Sequence, residues 1–492
     1  MKVEWDEIGA IDWERLANEY AAVSRSRRVS EGQGKYYASV RDIPEFPSSL
    51  QLRDYQQQAV ENWFRNKGRG ILKMATGSGK TIAALAIATE LYRKIGLQVL
   101  LVVCPFRHLV TQWGRECERF NLQPLLAFER VRKWQNELST QIYNLRTGDR
   151  AFLTVIVTNS TFITEGFQSQ LKFFPPKTLI IGDEAHHLGS PRLEECLPRN
   201  IGLRLALSAT PERYFDEDGT DALWGYFGRV LQPEFTLKDA IDRGALVRYF
   251  YYPLLVELTP LEAVIYAKLT KQIGWALSEN NNLKSNETLT SLLMKRSRLI
   301  GAAANKLDLV RELMKTRLDT THTLFYCGDG TVENTSPPEG QLTAITRILG
   351  TELGYRVNIY TADTPLAERE RLREQFERGD LQGLVSIRCL DEGVDIPAIQ
   401  NAVILASTSN PRQFIQRRGR ILRPHPGKAK ATLFDAIVLP PDLDRETWEV
   451  ERNLLRKELI RFLEFANLAE NAEEAKAKIL ILQEKYQLSM NN

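Results

Sequence analysis

The sequence contains little cysteine, and the cysteines it has form no pairing pattern. Its 492 residues include five cysteines, an odd number with no CxxC pair among them. This spacing argues against a disulfide scaffold and against a structural zinc site. We therefore expect reduced, buried thiols and a protein of the cytoplasm.

Long hydrophobic runs and a strong net charge are also missing. No segment reaches the roughly 18 consecutive apolar residues that a membrane span needs, and the N-terminus has no basic-then-apolar signal pattern. The formal net charge is only +3. Any surface for a polyanion must therefore come from local clustering of charge. The length allows two or three domains.

Short apolar runs alternate with segments of helical periodicity over most of the chain. Continuous apolar runs of this kind are typical of strands buried on both faces, which predicts an α/β fold with mainly parallel sheets covered by helices. One series lies at residues 99–104, 154–159, 178–186 and 204–210, and a second at residues 322–327, 356–362, 383–389, 402–407 and 431–439. Two such series predict two tandem lobes of related architecture.

The same patterns predict the domain boundaries. The first lobe is expected at residues 49–232 and the second at 306–440, joined by a mostly helical connector over 233–305 with an exposed polar loop at 279–288. Residues 1–48 form an N-terminal flanking segment. Residues 441–492, rich in Glu, Lys, Leu and Ala, are expected to be a helical extension.

The run ATGSGKT at residues 75–81 carries the strongest chemical signal. Its small residues from Thr76 to Gly79 allow a tight loop whose backbone N–H groups form an anion nest, and a helix starting near Thr81 adds its positive dipole end. Lys80 is placed to reach the β- and γ-phosphates of a nucleotide, and the Thr81 hydroxyl to ligate Mg²⁺. Met74 stands where the strict pattern has glycine. The residues assigned to this loop are Thr76, Gly77, Ser78, Gly79, Lys80 and Thr81.

A pair of adjacent acids follows another apolar run. Asp183 and Glu184 are expected at the carboxyl end of a strand, where α/β sheets bind ligands. Asp183 suits a Mg²⁺ ligand, and Glu184 suits a base that orients and deprotonates the attacking water. We interpret His186 as a polar coupler rather than a metal ligand, and Trp113 as core packing.

With these residues the chain resembles superfamily 2 helicases and translocases of the DEAH-box kind, over roughly residues 50 to 440. The resemblance implies two RecA-like lobes, ATP and Mg²⁺ as cofactors, and hydrolysis in a pocket shared by both lobes. Arg53 and Gln56 resemble the adenine-recognition element, Ser208 and Thr210 the coupling motif, Gly393 and Asp395 the fifth motif, and Gln416, Arg417, Arg420 and Arg423 the sixth. By that resemblance Arg420 and Arg423 are arginine fingers, Gln416 and Arg417 support the interface, and Pro105, Arg107, Thr158 and Asn159 contact the nucleic-acid backbone.

The sixth motif also makes physical sense by itself. Residues 411–430 contain seven basic residues and no acid, and guanidinium groups offer planar, multi-donor charge to phosphates. If these groups come from a second lobe, hydrolysis depends on lobe closure, which converts phosphate chemistry into motion.

The function predicted is an ATP-driven helicase or translocase on nucleic acid, with DNA favoured over RNA. Three motifs are most similar to those of the XPB type and of restriction-enzyme motors: the phosphate loop, LSATPER at 207–213 and EGVDIP at 392–397. The Arg-Glu-Asp element of the XPB type is lacking. Segments between residues 190 and 270 also resemble helicase-like proteins of phosphorothioation-linked restriction systems. These resemblances imply a role in DNA repair or in restriction and defence. The sequence has no convincing nuclease signature outside the ATP site, so any DNA cleavage is expected from a nuclease or defence-system partner. The alternatives are an RNA helicase and a nucleotide-gated scaffold with little turnover.

Overall fold

The computed structural model describes residues 12–15, 18, 42–128, 131–213, 216–278, 283–332, 339–361, 363–387, 396–406, 418–441 and 445–488. The chain divides into two compact units, residues 1–240 and 241–492. Across the described ranges, no helix is long and apolar enough to cross a membrane.

The first unit is built on a six-stranded parallel sheet with the spatial order β1-β6-β5-β2-β4-β3. Its strands are β1 Arg69–Lys73, β2 Val99–Cys104, β3 Leu125–Ala127, β4 Leu153–Thr158, β5 Thr178–Asp183 and β6 Leu203–Ser208. The helices are α1 Asp54–Arg65, α2 Lys80–Ile95, α3 Arg107–Arg119, α4 Val131–Thr147, α5 Asn159–Phe162, α6 Glu165–Leu171, α7 Pro191–Glu195, α8 Glu217–Phe227 and α9 Leu237–Asp242.

The strands of this sheet form where the sequence has uninterrupted apolar runs. Every residue of β2, β4, β5 and β6 is buried, because helices cover both faces of a parallel sheet. The predicted runs at 99–104, 154–159, 178–186 and 204–210 are thus confirmed as strands, and the motif residues Thr158, Asp183 and Ser208 stand at the ends of β4, β5 and β6.

The second unit holds another six-stranded parallel sheet, of order β11-β12-β8-β13-β14-β7. Its strands are β7 Arg248–Glu257, β8 Thr323–Cys327, β11 Val357–Ile359, β12 Gly383–Ile387, β13 Asn401–Ile404 and β14 Lys430–Leu439, and β9 Thr331–Val332 pairs separately with β10 Glu339–Gly340. The helices are α10 Pro260–Ser278, α11 Leu283–Gly301, α12 Asn305–Lys315, α13 Gln341–Arg347 continued by a π-helix at Ile348–Glu352, α14 Leu366–Arg378, α15 Arg445–Asn467 and α16 Ala472–Lys485.

The predicted α/β class is therefore correct, and both lobes have a RecA-like arrangement of a parallel sheet between helices. One strand was missed by the sequence analysis. Strand β7, inside the predicted connector, pairs along all ten residues with β14. Its alternating aromatic pattern, with Tyr249 and Tyr251 buried and their neighbours partly exposed, is typical of an edge strand rather than a continuous apolar run.

The prediction of a polar loop over 279–288 is wrong for its second half. Helix α11 begins at Leu283, while residues 279–282 lie outside the described part. The segment 283–288 contains neither glycine nor proline, and polar residues without those breakers are compatible with a helix. The helical extension predicted after residue 441 is confirmed by α15 and α16.

Candidate nucleotide site

The motif residues of the first unit collect at one edge of its sheet, where the parallel strands end. The phosphate loop follows β1, Ser208 ends β6 and Asp183 ends β5, and these three strands are neighbours in the order β1-β6-β5. With strands spaced about 4.8 Å apart, residues far apart in sequence come within reach of one ligand. Pro105 and Thr158 lie at the ends of β2 and β4, farther along the same edge.

Two glycines shape the phosphate loop. Gly77 and Gly79 have φ angles of +84° and +82°, a left-handed conformation that glycine adopts without steric cost. Gly79 is also the residue before helix α2, which begins at Lys80. A Cβ on Gly79 would lie 2.3 Å from Nε2 of Gln56. Left-handed turns directly before a helix N-terminus form the anion nest that the sequence predicts.

Met74 occupies the first glycine position of the loop pattern without distorting it. Met74 is 3% exposed, forms an isolated parallel bridge with Phe235, and donates its backbone N–H to the Ser208 carbonyl at 3.1 Å. Its backbone is extended, a conformation that any residue adopts. The loop entry is thus attached to the end of β6, the strand that carries the coupling motif.

Lys80 contacts the beginning of the loop. Its Nζ donates to the carbonyl oxygens of Met74 at 3.1 Å and Ala75 at 3.4 Å, which holds the ammonium group across the loop. Within the described residues, the buried hydroxyls of Thr76 and Ser78 have no hydrogen-bond partner. Buried hydroxyls of this kind suit an anionic oxygen ligand, because an unsatisfied buried polar group is costly.

The predicted adenine element contacts the loop from helix α1. The Gln56 amide Nε2 donates to the carbonyls of Ser78 at 3.0 Å and Gly79 at 3.3 Å, and the Tyr55 hydroxyl donates to the Ser78 carbonyl at 3.0 Å. Arg53 in turn donates to the Tyr55 hydroxyl at 3.1 Å. The element therefore braces the far side of the loop. The contacts of Arg53 and Gln56 with a base stay predictions.

Asp183 is oriented by two donors. It is 9% exposed, and its Oδ2 accepts a hydrogen bond from the Trp113 indole Nε1 at 2.8 Å while Oδ1 accepts from the Glu184 backbone N–H at 3.0 Å. Trp113 is 1% exposed, as its interpretation as a core residue requires. The polar role of Trp113 was not predictable from the sequence, because nothing in the local pattern indicates which buried group the indole contacts.

The backbone at Glu184, the second residue of the acid pair, forms a strained turn. Glu184 has φ +45° and ψ +51°, and the 3₁₀ helix Ala185–Gly189 follows. A non-glycine residue in this region costs on the order of 1 kcal/mol or more and is found mainly at functional sites. The His186 Nδ1 lies 3.5 Å from both Glu184 Oε2 and Ser208 Oγ. His186 therefore sits between the proposed base and the coupling motif.

The coupling motif makes its own internal contacts. The Ser208 hydroxyl accepts the backbone N–H of Thr210 at 3.1 Å, and both side chains are buried. Among the described residues, no group bonds the Thr210 hydroxyl. The structure thus brings His186, Ser208 and Thr210 together, as their assignment to one coupling unit requires.

Arg213 attaches the end of the coupling motif to the turn after Asp183, a role that the sequence analysis missed. Its guanidinium donates to the His186 carbonyl, and its Nε donates to Asp216 Oδ2 at 2.6 Å. Asp216 also accepts the Gly219 backbone N–H at 2.9 Å. The Gly219 hydrogen bond, followed by the Arg213 contact, holds the pKa of the Asp216 carboxyl below its usual value.

Two side chains are suited to bind a metal ion, one hydroxyl and one carboxylate. Thr81, in the first turn of α2, and Asp183 provide the oxygen ligands that Mg²⁺ prefers, and Mg²⁺ takes its remaining ligands from water and phosphate. The indole and backbone donors on Asp183 are the outer contacts that orient a metal-binding carboxylate. These residues fit a nucleotide-bound Mg²⁺. No larger cluster of metal-binding side chains exists among the described residues.

The predicted nucleic-acid residues lie beside the nucleotide residues on the same edge. Arg107 begins helix α3 two residues after Pro105, with Phe106 as the N-cap. Thr158 is 3% exposed and caps helix α5 by accepting the Thr161 backbone N–H at 3.3 Å, which positions Asn159 at the first turn. Their contacts with a nucleic-acid strand stay predictions.

In the second unit, Arg420 and Arg423 lie at and just after a helical turn over residues 418–421. Ile421 and Leu422 anchor this turn in the core, with exposures of 1% and 0%. The Lys428 Nζ donates to the Ile421 carbonyl at 2.5 Å. The predicted residues Gly393, Asp395, Gln416 and Arg417 lie outside the described residues.

Comparisons with known proteins match both units. Residues 49–213 match the family model for the type III restriction enzyme res subunit, and residues 305–425 match that for the helicase conserved C-terminal domain. The chain is 28% identical over 391 residues to a DNA 3'-5' translocase XPB2 of Sulfurisphaera tokodaii, covering 77% of this chain and 80% of the relative. It is 27% identical over 435 residues to a putative DNA 3'-5' helicase Rad25 of Haloarcula marismortui, covering 84% and 58%.

A solved structure shares the fold. The ATP-dependent Type ISP restriction-modification enzyme LlaBIII bound to DNA matches with a TM-score of 0.56 and 20% identity, over 85% of this chain and 31% of that enzyme. The present chain thus spans less than a third of the restriction enzyme and a little over half of the Rad25 relative.

Proposed function

Because this chain belongs to superfamily 2 of the helicases and translocases, in its XPB-type and restriction-motor-like branch, we propose that it is an ATP-driven motor that moves on DNA. One observation carries the proposal. The phosphate loop with Lys80 follows β1, Ser208 ends β6 and Asp183 ends β5, and the predicted nucleic-acid residues lie at or just after the ends of the next two strands of the same sheet. A structural change at the nucleotide is therefore transmitted to the bound nucleic-acid strand through one edge of the sheet.

The loop binds the triphosphate. The backbone N–H groups around Gly77 and Gly79 and the N-terminus of α2 attract the phosphate oxygens, and Lys80 neutralises the β- and γ-phosphates. To do so, the ammonium exchanges its contacts with the Met74 and Ala75 carbonyls for phosphate oxygens. When bound through Thr81 and Asp183, Mg²⁺ neutralises the charge on the phosphates.

Glu184 acts on the attacking water. Its side chain is partly buried and lies beside His186, which in turn contacts Ser208, so the carboxylate is linked to the coupling motif. We assign to it the roles of orienting the water and accepting its proton. His186, Ser208 and Thr210 pass the state of the nucleotide to the rest of the lobe.

The second unit supplies positive charge to the transition state through Arg420 and Arg423. Arginine fingers contribute on the order of 10³ to 10⁵ to turnover in related phosphoryl transfers. Since the two arginines belong to a different unit from Lys80, hydrolysis requires closure of the lobes, and this requirement produces movement.

DNA is favoured as the partner because two of the relatives are named as a DNA 3'-5' translocase and a putative DNA 3'-5' helicase. We expect binding mainly through phosphates, hence sequence-tolerant and salt-sensitive. A role in repair or restriction, with cleavage by a separate nuclease, and action in the cytoplasm complete the proposal. An RNA helicase is the second candidate, and a nucleotide-gated scaffold the third.

The test is the ATPase rate of the full chain with single-stranded DNA, double-stranded DNA, RNA or no nucleic acid, at two salt concentrations. We expect stimulation by DNA that weakens at high salt, and loss of all hydrolysis in Lys80→Ala. Stimulation by RNA alone would favour the second candidate. ATP binding without turnover under every condition would favour the scaffold, and hydrolysis unchanged in Lys80→Ala would overturn the assignment of the site.

A further inference from the structure

The C-terminal extension closes the outer edge of the second sheet. In the turn between α15 and α16, the Asn471 side chain accepts the Tyr251 backbone N–H at 2.9 Å and donates to the Tyr251 carbonyl at 2.9 Å. The Glu470 backbone N–H donates to the Tyr249 carbonyl at 2.8 Å. These contacts satisfy backbone groups that an edge strand would otherwise expose, so the extension is an integral part of the lobe.

The same extension holds a buried arginine of the sixth motif. Arg418 is 0% exposed, and its guanidinium donates to Glu464 Oε1 on α15 at 2.7 Å. The guanidinium carbon also lies 4.2 Å from the ring centroid of Phe465. The Tyr249 hydroxyl, which donates to the Phe465 carbonyl at 2.7 Å, fixes this part of α15 against β7.

The contact of the buried Arg418 guanidinium with α15 depends on the charge and the ring that α15 supplies. Burial raises the pKa of the Tyr249 phenol to about 12, and the nearby Arg418 guanidinium opposes that rise. A buried guanidinium requires an opposite charge, since removal of its partner leaves an uncompensated charge in a desolvated site. Glu464 provides that charge and Phe465 provides a ring face for a cation–π contact.

Arg418 lies in the helical turn over residues 418–421, which contains Arg420 and precedes Arg423. The other end of this turn is held through its backbone, because the Val247 N–H donates to the Leu422 carbonyl at 2.8 Å and Lys428 donates to the Ile421 carbonyl. Arg418 itself is held by its carbonyl, which accepts the Leu422 N–H at 3.0 Å, and by its side chain, which donates to Glu464 on α15. The side-chain contact ties the direction of the turn to α15.

We propose that Glu464 and Phe465 are positioning residues for ATP hydrolysis: by fixing Arg418, the C-terminal extension sets the direction of Arg420 and Arg423. The inference rests on the proposed function, since it assumes that these two arginines meet the nucleotide. Displacement of the extension would then lower turnover without a change at the phosphate loop.

The experiment measures kcat and KM for ATP in the full chain with saturating DNA, together with Tm. Glu464→Gln removes the charge but keeps a similar shape, and Phe465→Leu removes the ring and keeps the carboxylate. We expect each variant to lower kcat by about five- to twentyfold, while KM for ATP and the affinity for a fluorescent ATP analogue change less than about twofold.

Glu470→Gln is the matched control. Glu470 lies on the same extension and pairs with Arg248 and Lys430 of the sheet at 3.1 and 2.6 Å, but not with the arginine turn. It removes ion pairs with the more exposed Arg248 and Lys430, so it should lose less stability than Glu464→Gln, and it should keep its kcat. Equal kcat values in Glu464→Gln and Glu470→Gln, or losses that follow Tm in all three variants, would overturn the inference. A wild-type chain without DNA-stimulated hydrolysis would instead contradict the proposed function.

Discussion

The indole Nε1 of Trp113 donates a 2.8 Å hydrogen bond to Oδ2 of Asp183. The two residues come from α3 and β5, and both are buried. A carboxylate in such a site has few orientations, because its other oxygen is bonded to the Glu184 backbone. Trp113 thus presents Asp183 to its ligand in one geometry.

Replacement of Trp113 by Phe keeps an aromatic ring and removes the donor. Loss of a contact that orients a metal-binding carboxylate typically weakens metal affinity by about 10- to 100-fold. We therefore expect the Mg²⁺ concentration for half-maximal ATPase activity to rise by about that factor, measured by titration of Mg²⁺ at fixed ATP.

Trp134→Phe is the control for this experiment. Trp134 is also 1% exposed, but no described residue accepts a hydrogen bond from its Nε1. The same change should leave the Mg²⁺ requirement unaltered. Equal shifts in both variants would mean that aromatic packing, rather than the hydrogen bond, matters.

Gly79→Ala is expected to weaken ATP binding. The new methyl group would meet Nε2 of Gln56 at 2.3 Å and would stand at φ +82°. Gly96→Ala, at φ +66° beyond the other end of α2, has open space around the added Cβ. Both changes cost about 1–2 kcal/mol of backbone strain. Only Gly79→Ala should raise KM for ATP, by about tenfold or more; comparable KM values would contradict the role of the loop.

Arg213→Ala tests the connection between the coupling motif and the turn after Asp183. The change removes the donors to the His186 carbonyl and to Asp216. Hydrogen bonds to charged groups contribute about 1.5–3 kcal/mol, and we expect DNA-stimulated kcat to fall by about tenfold as the turn loosens. Arg119→Ala, which removes an exposed pair with Glu116, should have no effect. An unchanged ratio of stimulated to basal ATPase in Arg213→Ala would exclude a coupling role.

Glu184→Gln should separate ATP binding from hydrolysis. The amide cannot accept the proton of water, so turnover should fall by about 10²-fold or more, whereas ATP affinity should persist and the closed state should accumulate on DNA. Equilibrium binding of ATP and single-turnover hydrolysis check the two expectations. Glu195→Gln, at an exposed position on α7, is the control. A matching loss of ATP affinity would identify Glu184 as a binding residue only.

Much of the fold was predictable from local pattern. Uninterrupted apolar runs marked the inner strands because both faces of a parallel sheet are buried, and glycines marked the phosphate loop because only they adopt its φ angles without strain. Strand β7 escaped prediction because an edge strand buries alternate residues and lies near helical segments in the sequence. The loop predicted at 279–288 was too long at its C-terminal end, because polar residues without glycine or proline favour a loop only weakly.

Local order along the chain therefore determined the strands, the phosphate loop, the acid pair and the succession of motifs, since these depend on side chains that are close in sequence. The tertiary structure alone decided which of them meet. The order β1-β6-β5 brings Lys80, Ser208 and Asp183 to one place, and the pairs Trp113–Asp183 and Arg418–Glu464 join residues 70 and 46 positions apart. Such contacts arise from the packing of whole elements around a common core, and no periodicity of a single segment encodes them.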